Sequence, residues 1–125
     1  MAISSSGSSL FEVMITLVIV AILATVGYPS FHSYLLQARR GEAQNHLMAL
    51  QLRQEEYRLV HGHYTADMQQ LRPDPGSDYD FQLRLNDLGY VLTASARADS
   101  RQSQDTGCHL LSLNQDRQSE PTACW

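Results

Sequence analysis

The sequence predicts an α+β protein: one long N-terminal helix packed on a small antiparallel sheet of three or four strands. Three observations carry this expectation. Val13 to Val26 form an apolar run whose only polar members are Thr16 and Thr25. From Ser30 to about Val60, apolar residues recur every three or four positions, the period of a helix with one buried face. From Tyr79 onward, apolar and polar residues alternate in short runs divided by turn residues, the period of strands.

The first half of the helix has the dimensions of a membrane segment. Leu10 to Tyr28 is 19 residues, about 29 Å of helix at ~1.5 Å per residue, enough for a hydrocarbon core of ~30 Å. Glu12 is the one carboxylate at its mouth. A charge costs about 2.5–3.5 kcal/mol at the centre of a membrane helix, and less near its end, so a chain that keeps one there has a use for it. Gly27-Tyr28-Pro29 predicts a break, because Pro29 removes a backbone donor and crowds the preceding turn; a kink or a melted turn is expected. Beyond it Phe31, Tyr34, Leu35 and Ala38 share a face, continued by Ala43, Leu47, Leu50, Gln54 and Tyr57. This stripe is expected to lie on the sheet, with Arg39, Arg40, Glu42, Arg53, Glu55, Glu56 and Arg58 on the polar side. Gly62 is placed to cap the helix.

A connecting loop follows, with one helical turn at Ala66 to Leu71 and a turn at Asp74-Pro75-Gly76-Ser77. Tyr79, Phe81, Leu83 and Leu85 mark one face of the first strand, and Asn86-Asp87-Leu88-Gly89 the hairpin after it. Tyr90, Leu92, Ala94 and Ala96 mark the second strand, Asp99 to Thr106 a polar loop, and Cys108 to Asn114 the third strand. The tail is polar until Ala123-Cys124-Trp125. With a membrane segment at the N-terminus, Cys108 and Cys124 read as one disulfide; the alternative is two free thiols in a cytosolic protein. A bond between them would close a loop of about 17 residues, contributing ~3 kcal/mol by chain entropy.

Composition and motifs exclude several classes. The chain has nine Arg, no Lys and 13 acidic residues, with a pI near 5.6, so the general basic footprint of a nucleic-acid binder is absent. No nucleophile elbow, phosphate-cradling glycine loop or metal-type cysteine spacing is present in the sequence. Glu55 and Glu56 are adjacent, and a helix turns them to different faces, so they are not a catalytic dyad. His61 and His63 lack a third ligand at convincing spacing and read as solvated histidines at a helix end. The expectation is a protein without catalytic residues, cofactor or metal.

The N-terminus admits three readings. A secretory signal needs a basic start, and Met1 to Gly7 contains no Arg or Lys. A plain anchor accounts for the length but not for Glu12. The third is a leader cut before the apolar run: Gly7, then Ser8, with Glu12 at the fifth position after the cut. This arrangement resembles the cleavage motif of type IV prepilins and type II secretion pseudopilins, where a glycine ends the leader and a carboxylate stands at that fifth position. Ser8 departs from the usual Phe, and the leader lacks its usual basic residue. Arg39 and Arg40 would by the positive-inside rule favour the opposite orientation; the motif overrides that count here. The segment Arg53-Gln54-Glu55-Glu56-Tyr57-Arg58, then Gly62-His63-Tyr64-Thr65, and the closing Cys124-Trp125 resemble most the PilE-like minor type IV pilins.

The resemblance implies a pilin-like fold with residues 1–7 as leader, 8–28 as the half of the helix that serves membrane and then filament core, and 29–125 as a periplasmic head. It implies processing between Gly7 and Ser8, N-methylation of Ser8, and pairing of Glu12 with the Ser8 amine of a neighbouring subunit. The implied partners are other pilins in a helical filament, a prepilin peptidase and the inner-membrane assembly platform. The implied location is the bacterial inner membrane, single-pass with the head in the periplasm, and then a pilus at the cell surface. The implied function is structural, a minor pilin, with a type II secretion pseudopilin as the alternative of the same kind. A pilus-displayed module that binds DNA or a surface is the alternative of another class. For DNA, Arg97, Arg101 and Arg117 are the candidate contacts, on one patch near the loop after the second strand, although Asp99, Asp105, Asp116 and Glu120 lie in the same region.

Overall fold

The structure is a computed structural model that describes residues 9–76 and 78–125; Gly7 and Ser8 lie outside the described residues. It divides into two compact units, Met1–Leu35 and Leu36–Trp125. Helix α1 is assigned from Leu10 to His61.

In the first unit the described residues are helix, and a single helix has no second layer against which to bury a face. Its apolar side chains from Leu10 to Val26 are accordingly exposed, as are Phe31 and Tyr34, and Leu35 at its end is half-buried. The expectation that Phe31 and Tyr34 extend the buried stripe is therefore corrected. At Gly27 and Pro29 the chain stays helical, so of the two expected outcomes the melted turn is absent. Proline removes only its own N–H, the rung that would reach the Thr25 carbonyl, while its fixed φ lies in the helical range. The neighbouring residues keep helical dihedrals on either side of the missing rung.

The second unit contains the core. Strands β1 (Tyr79–Asn86), β2 (Gly89–Ala96), β3 (Leu110–Asn114) and β4 (Ser119–Glu120) form a four-stranded sheet in the order β1-β2-β3-β4. Every neighbouring pair is antiparallel. Ala43, Leu47 and Leu50 come down from α1 at helical spacing, and with them Gln54 is fully buried. They meet Tyr90, Leu92 and Ala94, alternate residues of β2, and Leu111 and Leu113 of β3. The register sets Leu92 between Leu83 and Leu113, and Ala94 between Phe81 and Leu111. β1 and β4 are the edge strands, and burial fades along β1 from Tyr79 through Phe81 and Leu83 to the exposed Leu85.

Gly62 ends α1 with φ of 79°, a left-handed conformation in which its N–H reaches the Arg58 carbonyl at 2.7 Å. The one-turn expectation near Leu71 appears as a 3₁₀ turn, Met68–Leu71, whose start is capped by the Asp67 carboxylate. Cys108 and Cys124 are bonded, with an S–S distance of 2.06 Å. The third strand starts at Leu110 rather than Cys108, because Cys108 closes a turn onto the Asp105 carbonyl.

The stretch Asp99 to Thr106 is more than a polar loop. It contains a 3₁₀ turn, Arg101–Gln104, started by the Ser100 hydroxyl, which accepts from the Gln102 N–H at 3.1 Å. Gln102 is fully buried and Asp105 nearly so. Arg40 of α1 donates to both carboxylate oxygens of Asp105 at 2.9 Å, from Nε and Nη2. The Gln102 amide donates to the Leu36 carbonyl at 2.9 Å and to Asp105 at 3.2 Å. The Asp105 carboxylate and the Gln102 N–H groups are thereby paired, as buried polar groups require, while Gln102 Oε1 is buried without a hydrogen-bond partner among the described residues.

Candidate functional site

Glu12 lies in the first turn of α1, where a carboxylate is favoured by the positive end of the helix dipole. Its backbone carbonyl accepts from the Thr16 hydroxyl at 2.8 Å, which turns that hydroxyl back onto the helix. Thr25 does the same to the Ile22 carbonyl at 2.8 Å. Both polar side chains of the run are thereby partly satisfied within the helix, leaving its surface apolar apart from Glu12. The helix is long and apolar enough to cross a membrane, and its most apolar window has no buried residues.

The three candidate arginines do not form one patch. Ser95 pairs with Leu110 and Val91 with Asn114. Arg97 and the turn carrying Arg101 therefore follow the Ala96 end of the sheet. Arg117 sits in the β3–β4 hairpin beyond Asn114, at the Gly89 end. Roughly 13 Å of strand or more separates them at ~3.3 Å per residue. The sequence order suggested proximity because it does not show the chain reversing at Asn114. Arg97 is also occupied: it holds Asp99 through Nε at 3.1 Å and Nη2 at 2.9 Å, hydrogen bonds that strengthen its hold on its proton. Arg101 and Arg117 are exposed, and among the described residues neither forms an ion pair. Arg117 adopts a left-handed backbone, φ 62°, at the hairpin tip.

A groove of about 710 Å³ lies between α1 and this hairpin, with Glu55, Arg58, Tyr64, Arg117 and Trp125 among its lining residues. Its chemistry centres on Glu55, which the sequence sets aside as a solvated helix residue. Glu55 Oε1 accepts from the Tyr64 hydroxyl at 3.1 Å and from the Tyr90 hydroxyl at 3.3 Å. Its other oxygen pairs with Arg58 at 3.1 Å, and the Arg58 guanidinium lies 5.1 Å from the centre of the Tyr64 ring. The two tyrosine rings meet edge to face at 4.8 Å. Burial, then the Glu55 charge, pushes the Tyr90 hydroxyl well above the usual tyrosine range. Burial and the hydrogen bond to Glu55 raise Tyr64 as well. Both phenols thus stay protonated donors, and Glu55 acts as a fixed acceptor at the end of the head. The available signal in the sequence was that Tyr64 and Tyr90 are large groups whose hydroxyls need partners when buried.

His61 and His63 flank Gly62 at the end of α1, both exposed, and Tyr57 stacks on His61 with ring centres 4.0 Å apart. Among the described residues no group of three or more His, Cys, Asp or Glu is arranged around a common point.

A long helix with an apolar first half, its second half packed on a four-stranded antiparallel meander tied at the C-terminus by a disulfide, is the architecture of a pilin. A type IV pilin of Shewanella oneidensis has the same fold, with a TM-score of 0.58 at 24% identity, covering 72% of this chain and 97% of that one. Residues 29–112 match the family described as type IV minor pilin ComP, DNA uptake sequence receptor; this is most of the chain, and the protein belongs to that family of type IV minor pilins. No curated protein matches it in sequence.

Proposed function

We propose that the protein is a minor subunit of a type IV pilus whose head binds DNA. The observation that carries this reading is the match of residues 29–112 to a family of minor pilins described as DNA uptake sequence receptors. It favours a pilus over a type II secretion pseudopilus.

In this reading a prepilin peptidase cuts between Gly7 and Ser8 and the new Ser8 amine is methylated. Val13 to Val26 holds the subunit in the inner membrane with the head, residues 29–125, in the periplasm. On assembly the same surface moves from lipid into a bundle of neighbouring pilin helices. Both surroundings are apolar, so the transfer is cheap. Glu12 supplies register by pairing with the Ser8 amine of a neighbour, an attraction that low dielectric makes strong and selective. Mass spectrometry of protein from membranes tests the processing: a start at methylated Ser8 is expected, and an intact Met1 overturns it. Glu12→Ala is expected to leave the protein in the membrane but poorly incorporated into filaments.

Of the exposed arginines without an ion pair among the described residues (Arg72, Arg84, Arg101 and Arg117), Arg101 at one end of the sheet and Arg117 at the other are the contacts that DNA phosphates would use in this reading. The exposed Ser103 and Gln104 add hydrogen-bonding groups beside Arg101. The full chain in detergent micelles should shift a DNA duplex at 50 mM salt. Removing a phosphate contact should weaken binding and lower the salt slope by about one. Arg101→Ala and Arg117→Ala, measured separately, tell which end is used. No shift at that salt concentration, or binding untouched by both substitutions, overturns the DNA assignment.

A further inference from the structure

The end of α1 presents two imidazoles in a prepared state that neither the pilus nor the DNA reading uses. His61 Nδ1 lies 3.1 Å from the Tyr57 carbonyl oxygen, and His63 Nδ1 lies 3.0 Å from the Tyr64 carbonyl oxygen. A carbonyl only accepts, so each Nδ1 must carry the hydrogen and donate it. In the neutral rings this leaves both Nε2 atoms as unprotonated lone pairs. A backbone carbonyl that fixes the tautomer and orientation in this way is the usual outer partner of a metal-binding histidine. Here it is present on both rings.

The backbone between them is equally specific. Gly62 holds φ at 79°, and its N–H is bonded to the Arg58 carbonyl at 2.7 Å. This left-handed residue stands between the two rings, whose centres lie 6.4 Å apart with their planes tilted by 52°. Tyr57 supports both: it stacks on His61 at 4.0 Å and meets His63 edge-on at 5.9 Å. Two imidazoles on one tetrahedral ion with bonds of ~2.0–2.1 Å have ring centres roughly 5 Å apart. The rings therefore need to close by about an ångström, a small side-chain rotation for two exposed residues. Sequence spacing alone discards the pair because it finds no third ligand. The structure adds the tautomers and the turn.

We propose that His61 and His63 form a two-imidazole chelate for a divalent late transition-metal ion, with water filling the remaining positions. Imidazole nitrogen suits copper, nickel and zinc, and for a given site copper binds tightest. Glu55 is held by Arg58, Tyr64 and Tyr90 and is not a ligand. The site stands independently of whether the head binds DNA.

The test is a titration of the full chain in detergent micelles with Cu²⁺, and separately with Zn²⁺, in a weakly coordinating buffer, followed by calorimetry. Copper is also read by electron paramagnetic resonance. One saturable ion per chain is expected, with two equivalent nitrogen couplings for copper. His61→Ala and His63→Ala should each weaken binding by about tenfold or more. His109→Ala, an exposed histidine elsewhere on the head, should leave it unchanged. Gly62→Ala keeps both ligands but strains the left-handed turn, and should weaken binding while the helical circular dichroism is retained. Binding that survives both single histidine substitutions, or a copper spectrum with a single nitrogen, overturns the site.

Discussion

The side chain of Gln54 grips the backbone of Thr65 from both sides. Its Nε2 donates to the Thr65 carbonyl at 2.9 Å, and its Oε1 accepts from the Thr65 N–H at 3.1 Å. Gln54 is fully buried and stands in the apolar stripe one step beyond Leu50. It therefore replaces a strand partner for a loop residue, and fixes where the chain lies after α1 ends. Gln54→Ala should cost about 2–6 kcal/mol, because it leaves a buried donor and a buried acceptor unpaired at ~1–3 kcal/mol each. Denaturant unfolding followed by Trp125, the single tryptophan, reads this directly. Gln54→Glu keeps the acceptor but buries a charge and loses the donor, so it should not rescue stability.

Arg40 and Asp105 form the second long-range tie from the helix. Their side chains are largely buried, and both bonds are 2.9 Å. Arg40→Ala strands the Asp105 carboxylate beside the Gln102 amide, for an expected loss of about 3–5 kcal/mol. Replacing both partners with apolar residues of similar volume should cost less than the single change. A double-mutant cycle with Asp105→Leu and Arg40→Met measures the difference.

Much of this architecture is legible because period reports orientation. Ala43, Leu47, Leu50 and Gln54 are read correctly as one buried face, and the alternation of β2 places Tyr90, Leu92 and Ala94 inward. Period does not report whether a second layer exists, and Phe31 and Tyr34 keep the helical spacing yet are exposed in a unit that has nothing to cover them. Polar character misleads at Gln102 and Asp105 for a related reason. They are buried only because Arg40 and the Leu36 carbonyl arrive from 65 and 66 residues away. The arginine patch failed on topology, since Arg97 and Arg117 are near in sequence but sit at opposite ends of an antiparallel pair. Pro29 stays within the helix because losing one rung does not end a helix whose neighbours remain bonded.

The buried tyrosines predict a specific alkaline limit. Burial raises the hydroxyls of Tyr90, Tyr79 and Tyr64, with the Glu55 charge adding to Tyr90. Below the ordinary tyrosine value near 10 both folded and unfolded chains hold these protons, so stability does not depend on them. Above it the unfolded chain releases protons that the folded chain keeps, so stability falls as pH rises through that window. Unfolding should therefore begin above about pH 10 and coincide with the tyrosinate absorbance change. Tyr90→Phe should make the alkaline loss shallower. At neutral pH the same change should cost about 1 kcal/mol for the hydrogen bond to Glu55.

The disulfide predicts which part of the head opens first when reduced. Cys108 and Cys124 are 16 residues apart in sequence, and closing such a loop is worth ~3 kcal/mol by chain entropy. Within it lie β3, the two-residue β4 and the 3₁₀ turn Thr122–Cys124. β4 has two register pairs with β3, whereas β1 and β2 share eight. The tail is also held to α1 by the Gln44 amide, which donates to the Cys124 carbonyl at 2.5 Å, and by the packing of Cys124 and Trp125 on the core, while the Trp125 indole donates to the Glu120 carbonyl at 3.3 Å within the tail itself. Replacing both cysteines by serine should lower stability by about 3 kcal/mol and release amide protection from Ser119 to Trp125 first. Protection in β1 and β2 should persist. Gln44→Ala in the same background should deepen the loss in the tail alone. Hydrogen exchange that rises uniformly across the sheet would show instead that the bond holds the whole head together.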